Sequence, residues 1–425
     1  MICLRVMNNG EKYLKTMPYQ RNNRQNKRHT GRRNYGYENE GRGGVPSDVV
    51  LSPPDTTLMV VVAFLVVIGL MAIFSAGAPK AMDMGQNPAS FALKQFAYLI
   101  VGFFGLKYFM NLDYKKLRDW AVPFAWFVIV MLALVDFTPL GVIVNGARRW
   151  IMLGPIQFQP SEMTKFAVIM LLANAFYRDA NIFSSTKWSR YFVPILIMVF
   201  LVFKQPNLSM VILLLITSMV MYLSVAGSVK YMVTIGLAGI ASAVGTILLF
   251  GKKLLHGYQM QRIQIWLNPN MDPYGAGYNI IQSLLAFAAG GFWGVGYGNS
   301  KQKLAWLPEG HTDFIFAVIA EELGFLGCFL VIGLFWTFIH RGIIISSRAN
   351  DMFGKLLAVG ITLSIGLQAF INMSVSSSLI PATGVPLPFI SYGGTSLIVS
   401  LCMVGVLLNI SKKRIKRIRN YERNY

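Results

Sequence analysis

Residues 57–76 read TLMVVVAFLVVIGLMAIFSA, twenty residues without a charged side chain. An α-helix needs about 20 apolar residues to cross the hydrocarbon core of a bilayer. Similar apolar segments follow along the chain and are joined by short connections. Of all 425 residues, 54% are hydrophobic and 13% are charged, whereas soluble domains carry about 25% charged residues. The sequence therefore predicts an all-α integral membrane domain over residues 56–411.

Ten segments are expected to cross the membrane, with a large loop between the seventh and the eighth. The predicted helices are 57–76, 93–111, 120–139, 162–177, 191–204, 208–226, 231–250, 313–340, 356–376 and 394–410. The large loop, 252–312, contains an amphipathic segment and a run of glycines, so we expect a folded cap with interfacial helices. Because the number of crossings is even, both termini should lie on the same side of the membrane.

The basic residues indicate which side faces the cytoplasm. The net charge is +21; residues 1–55 hold ten basic and five acidic residues, and residues 412–425 hold seven and one. Short loops on the same side carry further Lys and Arg, as cytoplasmic loops do. We therefore predict a disordered cytoplasmic tail over 1–55 and a basic cytoplasmic tail over 412–425. The loop 252–312 is then extracytoplasmic.

Composition also excludes some classes of protein. No nucleic-acid-binding module accompanies the positive charge, so the tails are expected to contact anionic lipid and no nucleic acid. Two of the three cysteines lie in apolar segments and the third lies in a basic tail, which implies no disulfide framework. The four histidines are scattered without metal-ligand spacing.

Charged side chains at membrane depth are costly, so each is a candidate functional residue. The first group lies in the loop before the fourth helix. Arg148 and Arg149 offer fork-shaped donors that suit phosphate, and Trp150 would anchor the loop at headgroup depth. The alternative is an ordinary interfacial basic loop.

The second group is the segment Gln159–Lys165 at the start of the fourth helix. Glu162 and Lys165 are three residues apart and therefore share a helix face. With Gln159 they are candidates for contact with a polar ligand. The alternative is a local salt bridge that lets both charges enter the edge of the membrane.

The third group surrounds Asp313, where a polar loop becomes an apolar helix. A carboxylate there can point into a half-dry pocket that raises its pKa by desolvation, which is the setting that a general base needs. Glu309 and His311 belong to the same segment. The alternative is that Asp313 caps the helix, since aspartate is a favoured N-cap residue.

Two further features lie nearby. Glu321 and Glu322 follow in the same helix and need partners such as Lys165, so a pairing role is as good an interpretation as a catalytic one. Residues 381–394, which include Ser391, are too rich in proline and glycine for a continuous helix. Broken backbone at membrane depth is tolerated inside protein or along a cavity, so this segment is expected to line the same pocket.

Three of these stretches, Asn145–Lys165, Asp272–Glu322 and Pro381–Ser396, resemble the SEDS family (shape, elongation, division and sporulation) of bacterial peptidoglycan glycosyltransferases. The resemblance covers about 57–411. The GNSKQK segment that begins at Gly298 and the later GVPLPFISYGGTSL run are most like the cell-division branch. The sequence QPNLS departs from the family's usual Gln-Pro-Asp-Leu-Gly, so its Asn207 is not expected to have a charged or metal-binding role.

The resemblance implies that lipid II, a disaccharide-pentapeptide on undecaprenyl pyrophosphate, is polymerised into septal glycan strands at the bacterial cell (inner) membrane. Asp313 would take the proton from the acceptor's GlcNAc 4-hydroxyl in an inverting transfer that releases undecaprenyl pyrophosphate. A divalent cation, Mg²⁺ or Mn²⁺, would assist that release. The partners would be a class B penicillin-binding protein, which is a transpeptidase, and other division proteins. The candidate substrate-binding residues are Arg148, Arg149, Trp150, Gln159, Glu162, Lys165, Glu309, His311 and Ser391.

Two other functions fit the same residues. A lipid II flippase would also need a polar cavity, but it would need a path between the leaflets and no base beside an acceptor hydroxyl. A non-catalytic division scaffold would need only apolar helices that bind a partner. Glycan synthesis in detergent would argue against a flippase, and growth supported by an Asp313→Asn variant would favour a scaffold.

Overall fold

The computed structural model of the protein describes most of the membrane domain. The described residues are 49–144, 147–153, 156–179, 182, 186–226, 257–275, 277–303, 307, 309–412 and 414–416. They belong to the second of two units into which the chain divides, Asp48–Tyr425. The predicted seventh helix and most of the two predicted tails lie outside the described residues, so those predictions are not tested.

The described part of the chain is helical, as predicted. Its helices are α1 (Thr56–Asp83), α2 (Ser90–Asn111), α3 (Leu117–Phe137), α4 (Pro160–Arg178), α5 (Ser189–Lys204), α6 (Leu208–Ala226), α7 (Gly257–Leu267), α8 (Tyr278–Gly290), α9 (Ile315–Ser347), α10 (Met352–Ser376) and α11 (Gly394–Ser411). Helices α1–α6 and α9–α11 coincide with nine of the ten predicted crossings. Helices α7 and α8 lie within the predicted cap 252–312. The all-α fold is confirmed, and the count of ten crossings stays a prediction.

Six of the described helices are long and apolar enough to cross a membrane, namely α1, α3, α6, α9, α10 and α11. Of the other predicted crossings, α2 and α4 carry charged side chains, and α5 has 16 residues. Large apolar side chains of α2 are exposed, including Leu93, Phe96, Phe103 and Phe104. Such a surface suits contact with lipid, because lipid tails are as apolar as these side chains.

Helix α4 is the centre of the bundle. It packs against α3, α5, α6, α10 and α11, and 16 of its 19 residues are buried. A helix that is apolar on all sides is buried on all sides, and α4 is apolar throughout between Phe166 and Ala173. Its first turn, which holds Glu162 and Lys165, is therefore enclosed by protein.

A small antiparallel sheet occupies the loop before α4, where no strand was predicted. Its strands are β2 (Gly141–Val144), β3 (Ala147–Leu153) and β4 (Ile156–Phe158), in the order β2-β3-β4. Val142 pairs with Trp150, and Ile151 pairs with Phe158. Successive side chains of a strand point to opposite faces. The sheet therefore separates Arg148 from its neighbour Arg149.

The two ends of the membrane domain meet at one junction. Strand β1 (Val49–Leu51) pairs antiparallel with β5 (Arg414–Lys416). The side chain of Asp55 caps α1 by accepting the Leu58 amide at 2.9 Å and also forms an ion pair with Arg341 of α9. The Asp55 amide donates to Ser411 Oγ, at the end of α11, at 3.0 Å. The start of α1 is thus bound to α9 and to the end of α11.

Helix α9 is broken at Gly324, which has φ 64° and ψ −160°. The break frees backbone groups, and the loop after α8 satisfies them. Val295 and Gly296 donate their amides to the carbonyls of Glu321 and Glu322 at 2.9 and 3.1 Å, and the Phe325 amide donates to Gly291 O at 3.0 Å. Broken helices persist at membrane depth where protein satisfies the backbone in this way.

We predict that Gly324→Ala strongly destabilises the fold. Its backbone conformation is essentially restricted to glycine and costs other residues roughly 1–3 kcal/mol. An added Cβ would also lie 2.6 Å from Phe292 O and collide with the Gly294 amide nitrogen. Thermal unfolding of the purified protein in detergent measures the effect. Gly333→Ala, on the same helix with no atom within 4 Å of the added Cβ, is the control and should leave the midpoint unchanged or slightly raised. Equal midpoints for both variants would contradict the prediction.

Candidate active site

A cavity of about 1140 Å³ lies among α2, β3, α5, the start of α11 and two irregular segments, 309–313 and 384–393. Its polar lining residues are Lys80, Gln86, Lys94, Tyr98, Arg149, Trp150, Gln157, Gln159, Lys204, Arg262, Glu309, His311, Thr312, Asp313, Tyr392, Thr395 and Ser396. The predicted site residues Arg149, Trp150, Gln159, Glu309, His311 and Asp313 meet here. Arg148, Glu162, Lys165, Ser391, Glu321 and Glu322 are not among the lining residues.

Asp313 lies at the wall of this cavity and does not cap a helix. Helix α9 begins at Ile315, and its N-cap residue is Phe314, whose side chain makes no capping bond. The partly buried Asp313 carboxylate borders the cavity opposite Gly384, where an added Cβ would lie 3.5 Å from Asp313 Oδ2. Among the described residues, none donates a hydrogen bond to this carboxylate. The capping interpretation is therefore wrong, and the carboxylate is available to a ligand.

The surroundings of Asp313 make its carboxylate more basic than usual. Its pKa is raised to about 6, chiefly by burial and also by the nearby negative charge of Glu309. Arg262 and Arg149 oppose this effect. At neutral pH the group is therefore largely ionised, yet it holds a proton far better than an ordinary aspartate does.

Glu309 and His311 both line the cavity, but they make different contacts. The Glu309 carboxylate accepts the Thr312 hydroxyl at 2.6 Å. The His311 ring is buried against Phe91 and Tyr392, at centroid distances of 5.0 and 5.9 Å. Burial, with the charge of Lys80, lowers its pKa to about 4. His311 is therefore neutral at pH 7 and contributes a polar edge to the cavity without a positive charge.

The two adjacent arginines have different partners. Arg148 donates Nε to Gly141 O at 2.9 Å and a terminal nitrogen to Thr138 O at 2.7 Å, which binds β3 to the end of α3. Arg149 lines the cavity and donates to the carbonyls of Gln205 and Pro206 at 2.8 and 2.6 Å. Of the pair, the structure thus brings Arg149 to the cavity.

Five basic side chains line the cavity against two carboxylates. They are Lys80, Lys94, Arg149, Lys204 and Arg262. Four of these five were missed in the sequence, where Arg149 alone was singled out. A usable signal existed, because all four lie on the predicted extracytoplasmic side, which normally has few Lys and Arg. The excess of positive charge makes the cavity suited to an anionic ligand.

A buried polar network lies behind the cavity wall. Lys165 Nζ contacts Glu162 Oε2 at 2.7 Å and Gln368 Oε1 at 2.5 Å, and all three side chains are buried. The salt bridge weighed as an alternative is therefore present. Gln368 in turn donates to Pro386 O at 2.9 Å, in the segment that lines the cavity. Glu162 and Lys165 are thus linked to the cavity wall through Gln368 and do not line the cavity themselves.

Ser391 and Gln159 also fix the wall. The Ser391 hydroxyl donates to Thr312 O at 2.6 Å and accepts the Leu387 amide at 2.8 Å. The backbone N–H of Gln159 donates to Thr395 Oγ1 at 3.0 Å. Ser391 therefore joins the segment 386–393 to the loop that carries Asp313.

Glu321 and Glu322 both have partners away from the cavity. The carboxylate of Glu321 accepts the Ser300 hydroxyl and the Lys301 amide, the latter at 2.9 Å. That of Glu322 contacts Lys303 Nζ at 2.8 Å and also accepts the hydroxyl of Ser75. The pairing interpretation is therefore the one that the contacts favour, with Lys303 rather than Lys165 as the cationic partner.

Two observations bear on metal binding. Within the described ranges, no group of three or more His, Cys, Asp or Glu side chains could hold a metal ion, and the divalent cation stays a prediction. Asn207, where the family commonly has aspartate, accepts the Met210 amide at 3.3 Å and thereby caps α6. Asparagine and aspartate cap helices about equally well, so this departure leaves the local fold intact.

Comparisons with known proteins agree with this architecture. The family model for cell cycle proteins of the FtsW, RodA and SpoVE type matches residues 55–416. A probable peptidoglycan glycosyltransferase FtsW from Trichlorobacter lovleyi is 38% identical over 85% of this chain and 94% of its own length. Stage V sporulation protein E of Bacillus subtilis is 40% identical over 84% of this chain and 97% of its own.

Solved structures show the same likeness. A chain from a peptidoglycan synthase complex that coordinates polymerization and crosslinking aligns with a TM-score of 0.69 and 28% identity, over 84% of this chain and 97% of its own. The rod shape determining protein RodA of Thermus thermophilus aligns at 0.61 and 26%, over 84% and 96%. The sequence resemblance is confirmed: this multi-pass membrane protein belongs to the FtsW/RodA/SpoVE family of cell cycle proteins.

Proposed function

We propose that the protein is a peptidoglycan glycosyltransferase that polymerises lipid II into glycan strands for septal cell-wall synthesis. The observation that carries the proposal is a carboxylate of raised pKa, Asp313, at the wall of a cavity lined by five basic side chains. The names of the relatives support the same activity. A glycosyl transfer from a lipid-linked pyrophosphate needs one base and stabilisation of the leaving group, and this cavity provides both.

Asp313 acts as the general base. It accepts the proton of the acceptor's GlcNAc 4-hydroxyl while that oxygen attacks the anomeric carbon of the donor sugar. The bond between the anomeric carbon and the pyrophosphate oxygen breaks, and undecaprenyl pyrophosphate leaves with the bonding electrons. Attack opposite to the leaving group inverts the configuration and needs no covalent enzyme intermediate. Inverting glycoside hydrolases follow the same logic with water as the nucleophile.

The basic side chains stabilise the leaving pyrophosphate. Arginine forks bind phosphate oxygens with two hydrogen bonds, and lysine binds them as a point charge. Arg149 and Lys204 lie near the junction of α5 and α6, Lys80 and Lys94 belong to α1 and α2, and Arg262 belongs to α7. Fixed cations in a cavity of restricted water content favour developing negative charge more than they would in bulk water.

The cavity also has an apolar side that suits a lipid-linked substrate. Phe200 and Phe203 of α5 line it, and their side chains are 64% and 48% exposed. Both rings therefore contribute to the cavity and to the outer surface of the bundle. This arrangement supports a substrate whose head group enters the cavity while its polyprenyl chain stays in the bilayer.

A lipid II flippase is the second candidate, and the closed network behind the cavity disfavours it. Glu162, Lys165 and Gln368 are buried and bonded to one another, so a polar head group that crossed the membrane here would have to separate buried partners. A scaffold without catalysis does not account for the basic lining or for the raised pKa of Asp313.

We further propose that both termini are cytoplasmic, in the bacterial cell (inner) membrane, with tails over 1–55 and 412–425. The junction of α1 with α11 and the charge distribution support a common side for both ends. A class B penicillin-binding protein and other division proteins are the proposed partners, in line with the related synthase complex that couples polymerization to crosslinking. No step is assigned to a divalent cation.

We predict that Asp313→Asn reduces glycan polymerisation by at least about 10²-fold, since loss of a general base typically costs 10²–10⁴. The measurement is lipid II polymerisation by the purified variant in detergent with its partner, with thermal unfolding as a check on the fold. Asp119→Asn, at an exposed carboxylate in the first turn of α3, is the matched control and should keep full activity. Normal chain synthesis by Asp313→Asn would remove Asp313 as the base.

We predict that the rate depends on ionisation of Asp313. Because the pKa is raised, the basic form exists above about pH 6, so the rate should fall as pH decreases through that value. Glu309→Gln removes a charge that raises this pKa and should move the midpoint to lower pH. Arg262→Gln removes a charge that lowers it and should move the midpoint to higher pH. Profiles of rate against pH for all three proteins test this, and shifts in the opposite directions would refute it.

We predict different defects for the two arginines. Arg149→Gln should raise the apparent KM for lipid II at least about tenfold, because a hydrogen bond to a charged group contributes about 1.5–3 kcal/mol. Arg148→Gln should lower the midpoint of thermal unfolding with little change in KM, because it leaves the carbonyls of Thr138 and Gly141 without these donors. Lipid II titrations and thermal unfolding of both variants separate the outcomes. A normal KM for Arg149→Gln would exclude its role at the pyrophosphate.

A further inference from the structure

Helix α10 carries three buried polar side chains at a spacing of four residues. They are Gln368, Asn372 and Ser376, and each is no more than 1% exposed. Residues four apart lie along one face of a helix. A buried polar side chain in a membrane bundle is costly unless it is hydrogen-bonded. Three in a row on one face therefore require an explanation.

The partners of this face are the two irregular segments that form the wall of the cavity. Asn372 Nδ2 donates to Asp313 O at 2.9 Å and to Val385 O at 2.8 Å. Ser376 Oγ donates to Asp313 O at 3.4 Å, and Gln368 Nε2 donates to Pro386 O at 2.9 Å. One amide group thus holds the loop of Asp313 and the segment after Gly384 at a fixed separation.

Asn372 makes its side-chain hydrogen bonds through the donor nitrogen of its amide group. Its buried Oδ1 atom has no hydrogen-bond partner in the part of the chain that the structure describes. An unsatisfied buried acceptor costs about 1–3 kcal/mol, so an apolar residue would be preferred here if the two donated bonds had no purpose.

Asp313 depends on these bonds for its position. It precedes α9, has no capping bond of its own, and makes hydrogen bonds through its carbonyl to Asn372 and Ser376 among the described residues. Its carboxylate accepts no hydrogen bond from the described residues and borders the cavity. A helix is a more rigid support for such a group than a loop is, because its backbone is fixed by its own hydrogen bonds.

We propose that Asn372 is a positioning residue, which holds the backbone of Asp313 against the segment 384–386 so that the carboxylate faces the acceptor hydroxyl. Gln368 extends this support to the buried Lys165 and Glu162 pair. The inference rests on the proposed role of Asp313 as the base. It gives the polar face of α10 a role in catalysis without contact with the substrate.

The decisive variant is Asn372→Leu, which keeps the branched shape of the side chain and removes both donors. The maximal rate of lipid II polymerisation should fall about 100-fold, the loss that a displacement of about 1 Å can cause. The apparent KM should stay within about threefold. Asp313 should move towards water, so the midpoint of the rate against pH should fall below its wild-type value. Glu309, Arg149 and Arg262, which also face this carboxylate, are unchanged in the variant.

Two control variants and one substitute variant complete the test. Ser364→Ala, two turns earlier on α10, removes a fully buried hydroxyl that has no partner among the described residues, and should change neither the rate nor the midpoint. Asn372→Gln keeps the amide donors and should retain at least about a tenth of the rate with the wild-type midpoint. If Asn372→Leu yields no folded protein, Asn372→Ser, which keeps one shorter donor, is measured in the same way with the same expected direction.

The outcomes are distinguishable from those of the proposed function. An inactive Asp313→Asn beside a fully active, folded Asn372→Leu overturns the positioning role and leaves the base in place. A rate for Asn372→Leu that falls only in proportion to the folded fraction, with an unchanged pH midpoint, overturns it as well. An active Asp313→Asn contradicts the proposed function itself, whatever the Asn372 variants do.

Discussion

The structure depends on one constraint: hydrocarbon supplies no hydrogen-bond partner, so backbone groups at membrane depth must find theirs within the protein. This bundle meets the constraint by placing broken backbone next to buried polar side chains. The loop 291–296 satisfies the break in α9, and the segment 384–393 accepts hydrogen bonds from α10 and donates hydrogen bonds to the loop before α9. The irregular segments are therefore hydrogen-bonded to neighbouring elements on both sides of the cavity wall.

The electrostatics of the cavity follow from the same packing. The raised pKa of Asp313 comes from burial and from the charge of Glu309, while Arg262 and Arg149 limit the effect. The basic side chains that line the cavity come from α1, α2, α5, α7 and β3. Under the proposed function, an anionic head group would meet Asp313 in the same cavity that holds the basic side chains.

Much of this arrangement can be predicted from the sequence, because length and hydropathy alone limit a membrane helix. All nine predicted crossings within the described residues are helices, and Asp313 was expected at the edge of a pocket. Short strands leave no comparable signal, so the sheet of β2, β3 and β4 was missed. Two adjacent arginines look equivalent in a sequence, and the alternation of β3 separates them. The break at Gly324 depends on a contact with Gly294 that lies thirty residues away in the chain.

The sequence also could not predict which distant residues meet in space. Lys80, Lys94, Lys204 and Arg262 belong to four different elements, and no local pattern shows that they face one cavity. The polar face of α10 was equally hidden. Asn372 lies inside a predicted helix and was not singled out in the sequence, because its partners are carbonyls 59 and 13 residues away.

The junction at Asp55 has a mechanical consequence. Fraying of a domain usually starts at its termini, where the last residues have few partners. Here Asp55, the residue before α1, is bonded to Arg341 and to Ser411. Helices α1 and α11 are therefore joined to each other and to α9. Separation of either helix from the bundle would break its bonds to the other. Truncation at either end of the domain would therefore remove bonds from the opposite end as well, so unfolding should not start at one terminus alone.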